Sequence, residues 1–407
     1  MQAYERFLKY AVIYTRSDEN SETVPSTKRQ FDLAELLVRE LRALGVADAA
    51  ADKNCVVCGH LPATSGREDD LPLGFLAHMD TADYPAEHVV PRLWPDYGGG
   101  ALELGHGTVL TPERFPHLRA LRGRTLITAS GDTLLGADDK AGIAEIVTMA
   151  ETLISRRLPH GPICLAFTPD EEIGEGASHF DLERFGAKFA YTVDGGAEGE
   201  IEYENFNACA ADFTLRGVDV HPGSAKNVMV NALLVAMEIN AMLPPAEIPS
   251  KTEGYEGFYH LLRLDGVPAR AMLHYIVRDH SAEHFAVRKD YLRRVEKTIN
   301  ERYGSGTATL AMRDQYHNMA EIIRSHPHLI ENAKHAAVSA GLTPKVVPIR
   351  GGTDGALLSF RGLPCPNLGT GGYCFHGPYE HITCEGMERA AAMLTALAVM
   401  PQRGEER

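Results

Sequence analysis

Apolar positions recur along the first half of the chain with two different periods. Residues 26–45 place apolar side chains three and four positions apart and stop at Gly45, which predicts an amphipathic helix. Shorter apolar runs end in polar or glycine-rich turns, as is typical of buried strands in a parallel sheet. These runs are CVVCGHL, PLGFLAHMD, GPICLAFTPDEE and AKFAYTVDGG. Because a further helical pattern over residues 139–156 lies among them, we predict an α/β fold with a doubly wound, mostly parallel sheet.

A different order of elements begins near Asn207. The pattern there predicts strand, helix, two strands, helix and strand, which is the order of a ferredoxin-like α+β unit. The α/β alternation resumes near residue 319 with a predicted helix over residues 320–340. We therefore expect a small lid domain inserted into a larger, discontinuous one. The predicted boundaries are 1–206 and 319–407 for the larger domain and 207–318 for the inserted domain.

Composition narrows the class of partner. Hydrophobic residues make up 44% of the 407 positions, and 40 basic side chains stand against 55 acidic ones, for a net charge of -15. This balance opposes nonspecific binding to nucleic acid or to an anionic membrane and favours a small molecule or a peptide. The amino-terminal apolar stretch contains Glu5, Arg6 and Lys9, so it predicts an amphipathic helix, not a signal peptide, and we expect no membrane span.

The seven cysteines lack the spacing of a disulfide framework. Cys55 and Cys58 match the Cys-x-x-Cys pattern, but no second pair follows at the spacing of a zinc ribbon, and we predict that both are structural. A reducing, cytoplasmic location is the expectation.

Chemistry-bearing side chains recur where the predicted strands end. His78 and Asp80 are two residues apart, so both project from the same face of a strand. Further acids and one histidine follow other strands or precede a helix: Asp138, Asp139, Asp170, Glu171, Glu172, Asp194 and His376. One such turn alone is usually a helix cap or a solvated loop. Together, at the converging ends of parallel strands, they predict a metal site of imidazole and carboxylate ligands, which suit Zn²⁺, Mn²⁺ or Co²⁺.

Eight motifs occur in order across residues 78–381. They are HMDTAD, TLLGADDKAGIAEI, TPDEEIGEGA, VDGG, ENFNA, VHPGSAKNVMVNA, IRGGTDGA and GGYCFHGPYEH. The set resembles the dinuclear-zinc metallopeptidase family that includes carboxypeptidase G and succinyl-diaminopimelate desuccinylase. The ENFNA stretch and the loop after His78 resemble its tripeptide aminopeptidase branch.

The resemblance implies two Zn²⁺ per chain, with Mn²⁺ or Co²⁺ able to substitute. It implies a bridging Asp138, with His78 and Asp194 on one ion and Glu172 and His376 on the other. It makes Glu171 the general base and gives Asp80 the task of orienting the His78 ring. It also implies a frequently cis peptide between Asp138 and Asp139. His381 is the alternative to His376, which directly precedes Gly as the family ligand does, and His60, His88, His106 and His117 are predicted to be solvated or packed.

Substrate contacts are expected from other residues. The resemblance assigns stabilisation of the oxyanion to His221, although a turn histidine before Pro222 would have the same sequence. Arg278 and Arg350 are candidates for holding a substrate carboxylate, and each could equally form a structural ion pair.

The expected activity is release of the amino-terminal residue from short peptides, tripeptides above all, by metal-activated water. A carboxypeptidase, a dipeptidase or an N-acyl-amino-acid deacylase would share the metal site. A non-catalytic metal-binding homologue would be expected to lack a ligand or the base, and every such position is filled. The resemblance also allows a homodimer formed through the inserted domain.

Overall fold

The helices and strands follow the two periods of the sequence. The computed structural model describes residues 1–402. Its α-helices are α1 (Ala3–Ala11), α2 (Gln30–Leu44), α3 (Ala137–Arg156), α4 (Leu182–Phe185), α5 (Ala232–Met242), α6 (Ala282–Tyr303), α7 (Ala320–Ile323), α8 (Pro327–Ser339), α9 (Asp354–Phe360) and α10 (Cys384–Val399). Its strands are β1 (Ala50–Ala51), β2 (Val57–Leu61), β3 (Leu73–His78), β4 (Arg92–Trp94), β5 (Leu102–Gly105), β6 (Thr108–Leu110), β7 (Leu126–Thr128), β8 (Ile163–Thr168), β9 (Phe189–Gly195), β10 (Glu200–Glu202), β11 (Asn207–Arg216), β12 (Phe258–Val267), β13 (Arg270–Asp279), β14 (Ala308–Tyr316), β15 (Lys345–Val346), β16 (Asn367–Gly369), β17 (Gly372–Tyr373) and β18 (His381–Thr383).

The chain divides into two units. The first contains residues 1–203, 321–347 and those from 353 onwards, and the second contains residues 204–320 and 348–352. No helix within residues 1–402 is both long enough and apolar enough to cross a membrane.

An eight-stranded sheet forms the centre of the first unit. Its order is β1-β2-β8-β3-β9-β16-β10-β15, and β8, β3, β9 and β16 run parallel to one another. Every residue of β3 and β8 is buried, which agrees with strands covered on both faces. Leu76 of β3 packs in a core cluster with Phe185 and Leu358, from α4 and α9, whereas α3 lies against β3 and β9. The parallel core of the predicted fold is confirmed.

A smaller sheet in the same unit has the order β17-β18-β7-β4, and all its pairs are antiparallel. Leu104, Leu118 and Leu126 are fully buried in the core cluster beside it, against which Tyr373 and Tyr379 pack. This sheet carries the chain on either side of His376.

The second unit has one four-stranded antiparallel sheet in the order β12-β13-β11-β14. Its elements follow one another as strand, helix, two strands, helix, strand. Phe213 and Tyr275 of the sheet share a buried core with Ile239 of α5 and Ile299 of α6. This unit therefore has a hydrophobic core of its own.

Three details differ from the sequence prediction. The helix expected over residues 320–340 is two helices, α7 and α8, because Pro327 cannot donate a backbone hydrogen bond and starts a new helix at its first turn. Strand β2 is antiparallel to β8, since an apolar run carries no information about strand direction. Arg350, expected in the larger domain, belongs to the second unit.

Gly142 sets the contact between α3 and β9. A Cβ atom there would overlap the backbone oxygen of Val193 and crowd the Asp139 carboxylate. Replacing Gly142 by Ala is therefore expected to lower the free energy of unfolding by about 1–3 kcal/mol through overpacking. Urea denaturation of the metal-free protein measures this change. Gly100→Ala is the matched control, because nothing lies within 4 Å of its added Cβ; equal denaturation midpoints for the two variants would contradict the prediction.

Candidate metal centre

Three neighbouring strands of the large sheet end at the same edge, and candidate site residues lie at or just beyond these strand ends. His78 ends β3, Glu171 and Glu172 begin the short 3₁₀ turn after β8, and Asp194 is the penultimate residue of β9. These strands are adjacent and parallel, so their carboxyl ends meet. Two further segments reach the same place, with Asp138 at the start of α3 and His376 in the loop between β17 and β18.

The five predicted metal ligands lie together around Asp138. One Asp138 oxygen is 2.9 Å from His78 Nε2, and the other is 2.9 Å from His376 Nε2. His78 Nε2 is also 3.5 Å from Asp194 Oδ1, and His376 Nε2 is 3.1 Å from Glu172 Oε2. The Asp138 carboxylate thus stands between two imidazole–carboxylate pairs, grouped as the resemblance implies.

Glu171 faces this cluster without joining it. Its Oε2 lies 4.0 Å from His78 Nε2. A small buried pocket between Glu171, His78 and Asp194 is also lined by Asp354. Asp354 accepts a hydrogen bond of 2.9 Å from the Thr168 hydroxyl. Its part in this pocket was not predicted, although it lies in the IRGGTDGA motif, because only the fold brings α9 to the ends of β3 and β9.

Other buried carboxylates hold the backbone that carries these side chains. Asp80 accepts from the amide N–H groups of Glu171 and Glu172 at 3.0 and 3.2 Å. Asp139 accepts from the N–H groups of His78 and Gly142, at 3.1 and 3.2 Å. Three further N–H groups donate to Glu380, at 2.7 to 3.0 Å: those of Leu135, Gly136 and Asp138. The role of Glu380 was missed, because an acid in the loop directly before β18 gives no local sign of which distant amides will donate to it.

The geometry of Asp80 also refines its predicted role. His78 Nδ1 lies 3.1 Å from the backbone oxygen of Asp80 and 3.3 Å from its Oδ1. The His78 ring therefore donates mainly to the backbone oxygen of Asp80, while the Asp80 carboxylate accepts from the backbone N–H groups of the Glu171–Glu172 turn. The Asp138–Asp139 peptide is cis, as the resemblance implies.

Electrostatics in the cluster disfavour so many negative charges. Burial, together with the charge of Asp194, raises the pKa of Glu171 well above its ordinary value. Burial likewise raises the pKa of Asp194 to about 7. Burial opposes protonation of His78, yet Asp194 and Asp138 hold its pKa well above the usual range. Hydrogen bonds to Asp138 and Glu172 raise the pKa of His376 to about 11.

The donor set fits divalent cations. Glu172 Oε1 is buried without a hydrogen-bond partner. Within residues 1–402, the ion pairs of Asp138, Glu172 and Asp194 are with the two histidines, and none is with Lys or Arg. Nearby Lys140 donates instead to the backbone oxygen of Ile13 at 2.6 Å. A cluster of carboxylates and imidazoles that lacks fixed cations is the environment in which Zn²⁺ or Mn²⁺ is bound.

The other predicted residues lie elsewhere. His381 is not in this cluster; its Nε2 is 3.0 Å from that of His117. His221, Arg278 and Arg350 belong to the second unit. Arg350 donates to the backbone oxygens of Gly254 and Glu256, at 2.7 and 3.0 Å, so its guanidinium has a structural role.

His221 and Arg278 are less committed. Gly223 N–H donates to His221 Nδ1 at 3.1 Å, so the neutral ring carries its proton on Nε2. Arg278 donates to the backbone oxygen of Val277 at 3.1 Å, and its guanidinium lies over the Tyr316 ring at 5.3 Å. Both side chains retain N–H groups that can donate to another acceptor.

Asp80→Asn tests the backbone-holding carboxylate. An amide at this position presents one N–H₂ group to an amide N–H of the Glu171–Glu172 turn, and the turn must shift. We expect zinc affinity to fall by about 10- to 100-fold, the usual cost of losing a group that orients metal ligands. Competition with a chromophoric chelator measures the affinity. Asp83→Asn, at a side chain 75% exposed, is the control; unchanged affinity in Asp80→Asn would remove this role.

Known proteins are similar to this chain in sequence and in fold. The model of "Peptidase family M20/M25/M40" matches residues 135–400. A protein named peptidase T from Alkaliphilus oremlandii is 49% identical over 395 residues, which are 96% of this chain and 97% of the relative. Peptidase T from Aliivibrio salmonicida is 50% identical over 401 residues, or 98% of each chain. The solved structure of a tripeptidase from Staphylococcus aureus has a TM-score of 0.79 at 21% identity, covering 99% of this chain and 98% of its own.

The family model covers well over half of the chain, and the two sequence relatives are similar over almost their whole length. The chain belongs to peptidase family M20/M25/M40, in which its full-length relatives are peptidase T proteins.

Proposed function

We propose that this protein is a metal-dependent aminopeptidase that removes the amino-terminal residue from short peptides, tripeptides above all. The observation that carries the proposal is the Asp138 carboxylate, which lies 2.9 Å from an imidazole on each side and has an acid, Glu171, beside the cluster. The relatives named peptidase T support the substrate class.

We propose that this cluster binds two divalent ions. Asp138 would bridge them, His78 and Asp194 would hold one, and Glu172 and His376 would hold the other. When bound, two Zn²⁺ ions supply Lewis-acid activation of a water molecule and of the scissile carbonyl. Mn²⁺ or Co²⁺ has the same ligand preferences and could substitute.

Side chains of this protein transfer the proton from the attacking water to the leaving amine. Glu171 Oε2 is available as the general base: it accepts a proton from the attacking water and later donates it to the leaving amine. Asp80, Asp139 and Glu380 hold the surrounding backbone, so the base and the ligands keep their positions through the reaction. His221, with its proton on Nε2, is the candidate donor to the developing oxyanion.

A panel of substrates tests the activity. Di-, tri- and tetrapeptides and an N-acyl amino acid are incubated with the zinc-, manganese- and cobalt-loaded protein, and products are identified by mass spectrometry. Release of the amino-terminal residue, fastest from tripeptides, is expected. Fastest hydrolysis of the N-acyl amino acid, or release of the carboxy-terminal residue, would overturn the assignment.

Preference for tripeptides requires a group that detects the far end of the substrate. A side chain that donates hydrogen bonds to the terminal carboxylate meets this need, and His221 or Arg278 is the candidate because Arg350 donates within its own unit. Amidating the carboxyl terminus of a tripeptide should lower kcat/KM. The expected loss corresponds to about 1.5–3 kcal/mol of transition-state stabilisation, the range for a charge-assisted hydrogen bond. Ala at the residue that reads the carboxylate should remove most of this difference, whereas Arg350→Ala should not. Equal rates for free acid, amide and hexapeptide would mean that no carboxylate is read.

We further propose a cytoplasmic role in peptide catabolism. All seven cysteines are free thiols, which suits a reducing compartment.

We also propose a homodimer formed through the second unit, whose edge strand β12 exposes Leu262, Leu264 and Val267. Sedimentation equilibrium measures this, and a monomer at micromolar concentration would count against it.

A further inference from the structure

A second group of metal-ligating side chains lies in the first unit, outside the five residues around Asp138. It consists of His117, Cys374 and His381, and one ligand atom from each lies within 4.8 Å of the others. His117 is in the 3₁₀ helix Pro116–Leu121, Cys374 follows β17, and His381 begins β18. We call these three residues the His–His–Cys cluster.

His381 is oriented as a metal ligand is. Its Nδ1 donates to the backbone oxygen of Tyr379 at 2.7 Å, so the neutral ring carries its electron pair on Nε2, the atom that faces His117. Burial lowers the pKa of His381 to about 4, which keeps the ring neutral at physiological pH. An imidazole whose second nitrogen donates to a backbone carbonyl is the usual arrangement of a metal-binding histidine.

His117 is held opposite this electron pair. Its Nε2 lies 3.0 Å from His381 Nε2, and the two rings are nearly parallel, with centroids 5.1 Å apart. Tyr373 stacks on the His117 ring at 4.6 Å. Tyr373 also pairs with His381 across β17 and β18, which sets Cys374 directly beside the two imidazoles. The three donors are therefore ordered by the fold without any metal.

The chemistry of the cluster differs from that of the carboxylate centre. Two neutral imidazoles and one thiolate are ligands for a borderline-soft cation such as Zn²⁺. We propose that the His–His–Cys cluster binds one Zn²⁺ ion in addition to the ions of the Asp138 centre. On binding, the Cys374 thiol loses its proton to solvent, and solvent completes the coordination.

The position of the cluster gives this ion a role. Cys374 and His381 are the two ends of a segment that carries both His376 and Glu380. A metal that joins its ends stabilises this segment and thereby the metal ligand and the backbone-holding acid within it. The role of this ion is therefore structural.

Cobalt tests the proposal, because only a thiolate ligand produces a sulfur-to-cobalt charge-transfer band. The Asp138 centre offers only nitrogen and oxygen donors, so the band reports on the His–His–Cys cluster alone. Metal-free protein titrated with Co²⁺ should develop the band, which should saturate by about three ions per chain, two for the Asp138 centre and one for the His–His–Cys cluster, and addition of Zn²⁺ should abolish it. Inductively coupled plasma mass spectrometry should find one more zinc ion per chain in the unaltered zinc-loaded protein than in zinc-loaded Cys374→Ser.

Variants separate the cluster from the rest of the molecule. Cys374→Ser should remove the band while hydrolysis of a tripeptide persists, and His381→Asn should weaken cobalt binding by about 10- to 100-fold. Cys384→Ser, at a buried cysteine outside the cluster, should keep the band. Absence of the band from the unaltered protein at saturating Co²⁺, or its persistence in Cys374→Ser, would overturn the proposal whatever the outcome for peptide hydrolysis.

Discussion

Replacing Glu171 by Gln is expected to lower kcat by about 10²- to 10⁴-fold, the usual contribution of general acid–base catalysis, while metal content stays unchanged. The amide has nearly the shape of the carboxylate but cannot accept the proton of the attacking water. Glu171 lies beside the cluster, with its Oε2 4.0 Å from His78 Nε2, so its loss should leave the ligands in place. Steady-state kinetics on a tripeptide measures kcat, and inductively coupled plasma mass spectrometry of the same sample measures the metal content.

The adjacent acid is the matched control. Glu172 Oε2 lies 3.1 Å from His376 Nε2, and its other oxygen is buried without a donor, as expected of a ligand. Glu172→Gln should therefore lose metal, and its activity should partly recover when metal is added in excess. Metal loss in Glu171→Gln together with full occupancy in Glu172→Gln would mean that the two roles are exchanged.

Asp138→Asn is expected to release metal from both positions and to lower kcat/KM by several kcal/mol, on the order of 10³-fold. The carboxylate lies 2.9 Å from both imidazoles, and among the described residues no other carboxylate lies within 4.0 Å of both. An amide offers only one oxygen, so it cannot bridge. Zinc binding by isothermal calorimetry and tripeptide kinetics measure the effect.

Asp132→Asn controls for a change of charge in the same loop, because Asp132 contacts Ser130 and the exposed His106 but not the cluster. It should behave as the unaltered protein does. Retention of two tightly bound ions in Asp138→Asn would exclude a bridging carboxylate.

Local periodicity predicts much of this fold. The helical spacing of residues 26–45 corresponds to α2, and the apolar run ending at His78 corresponds to the fully buried β3. These patterns are informative because burial on a sheet or on one face of a helix acts directly on side-chain polarity. Strand direction and the break at Pro327 depend instead on neighbours and on one imino acid, so the antiparallel β2 and the split of α7 from α8 were missed.

The candidate site shows the same division. The proposed metal ligands follow strand ends or precede a helix, and this placement predicted a metal site of carboxylates and imidazoles. Their grouping around Asp138 came from the family resemblance that the motifs carry. Asp354 and Glu380 act through contacts between segments far apart in the chain, which no local pattern records. Arg350 has the side chain expected of a residue that binds a carboxylate, but its guanidinium donates to backbone oxygens within its own unit.

Two ions at the Asp138 centre, with Glu171 as the base, are expected to be required for hydrolysis of short peptides. Zinc titration of the metal-free Cys374→Ser protein tests this requirement, because the variant lacks the thiolate of the His–His–Cys cluster. Tripeptide hydrolysis should be negligible without metal and should reach its plateau at about two zinc ions per chain. Full activity at one ion per chain, or hydrolysis by the metal-free protein, would contradict it.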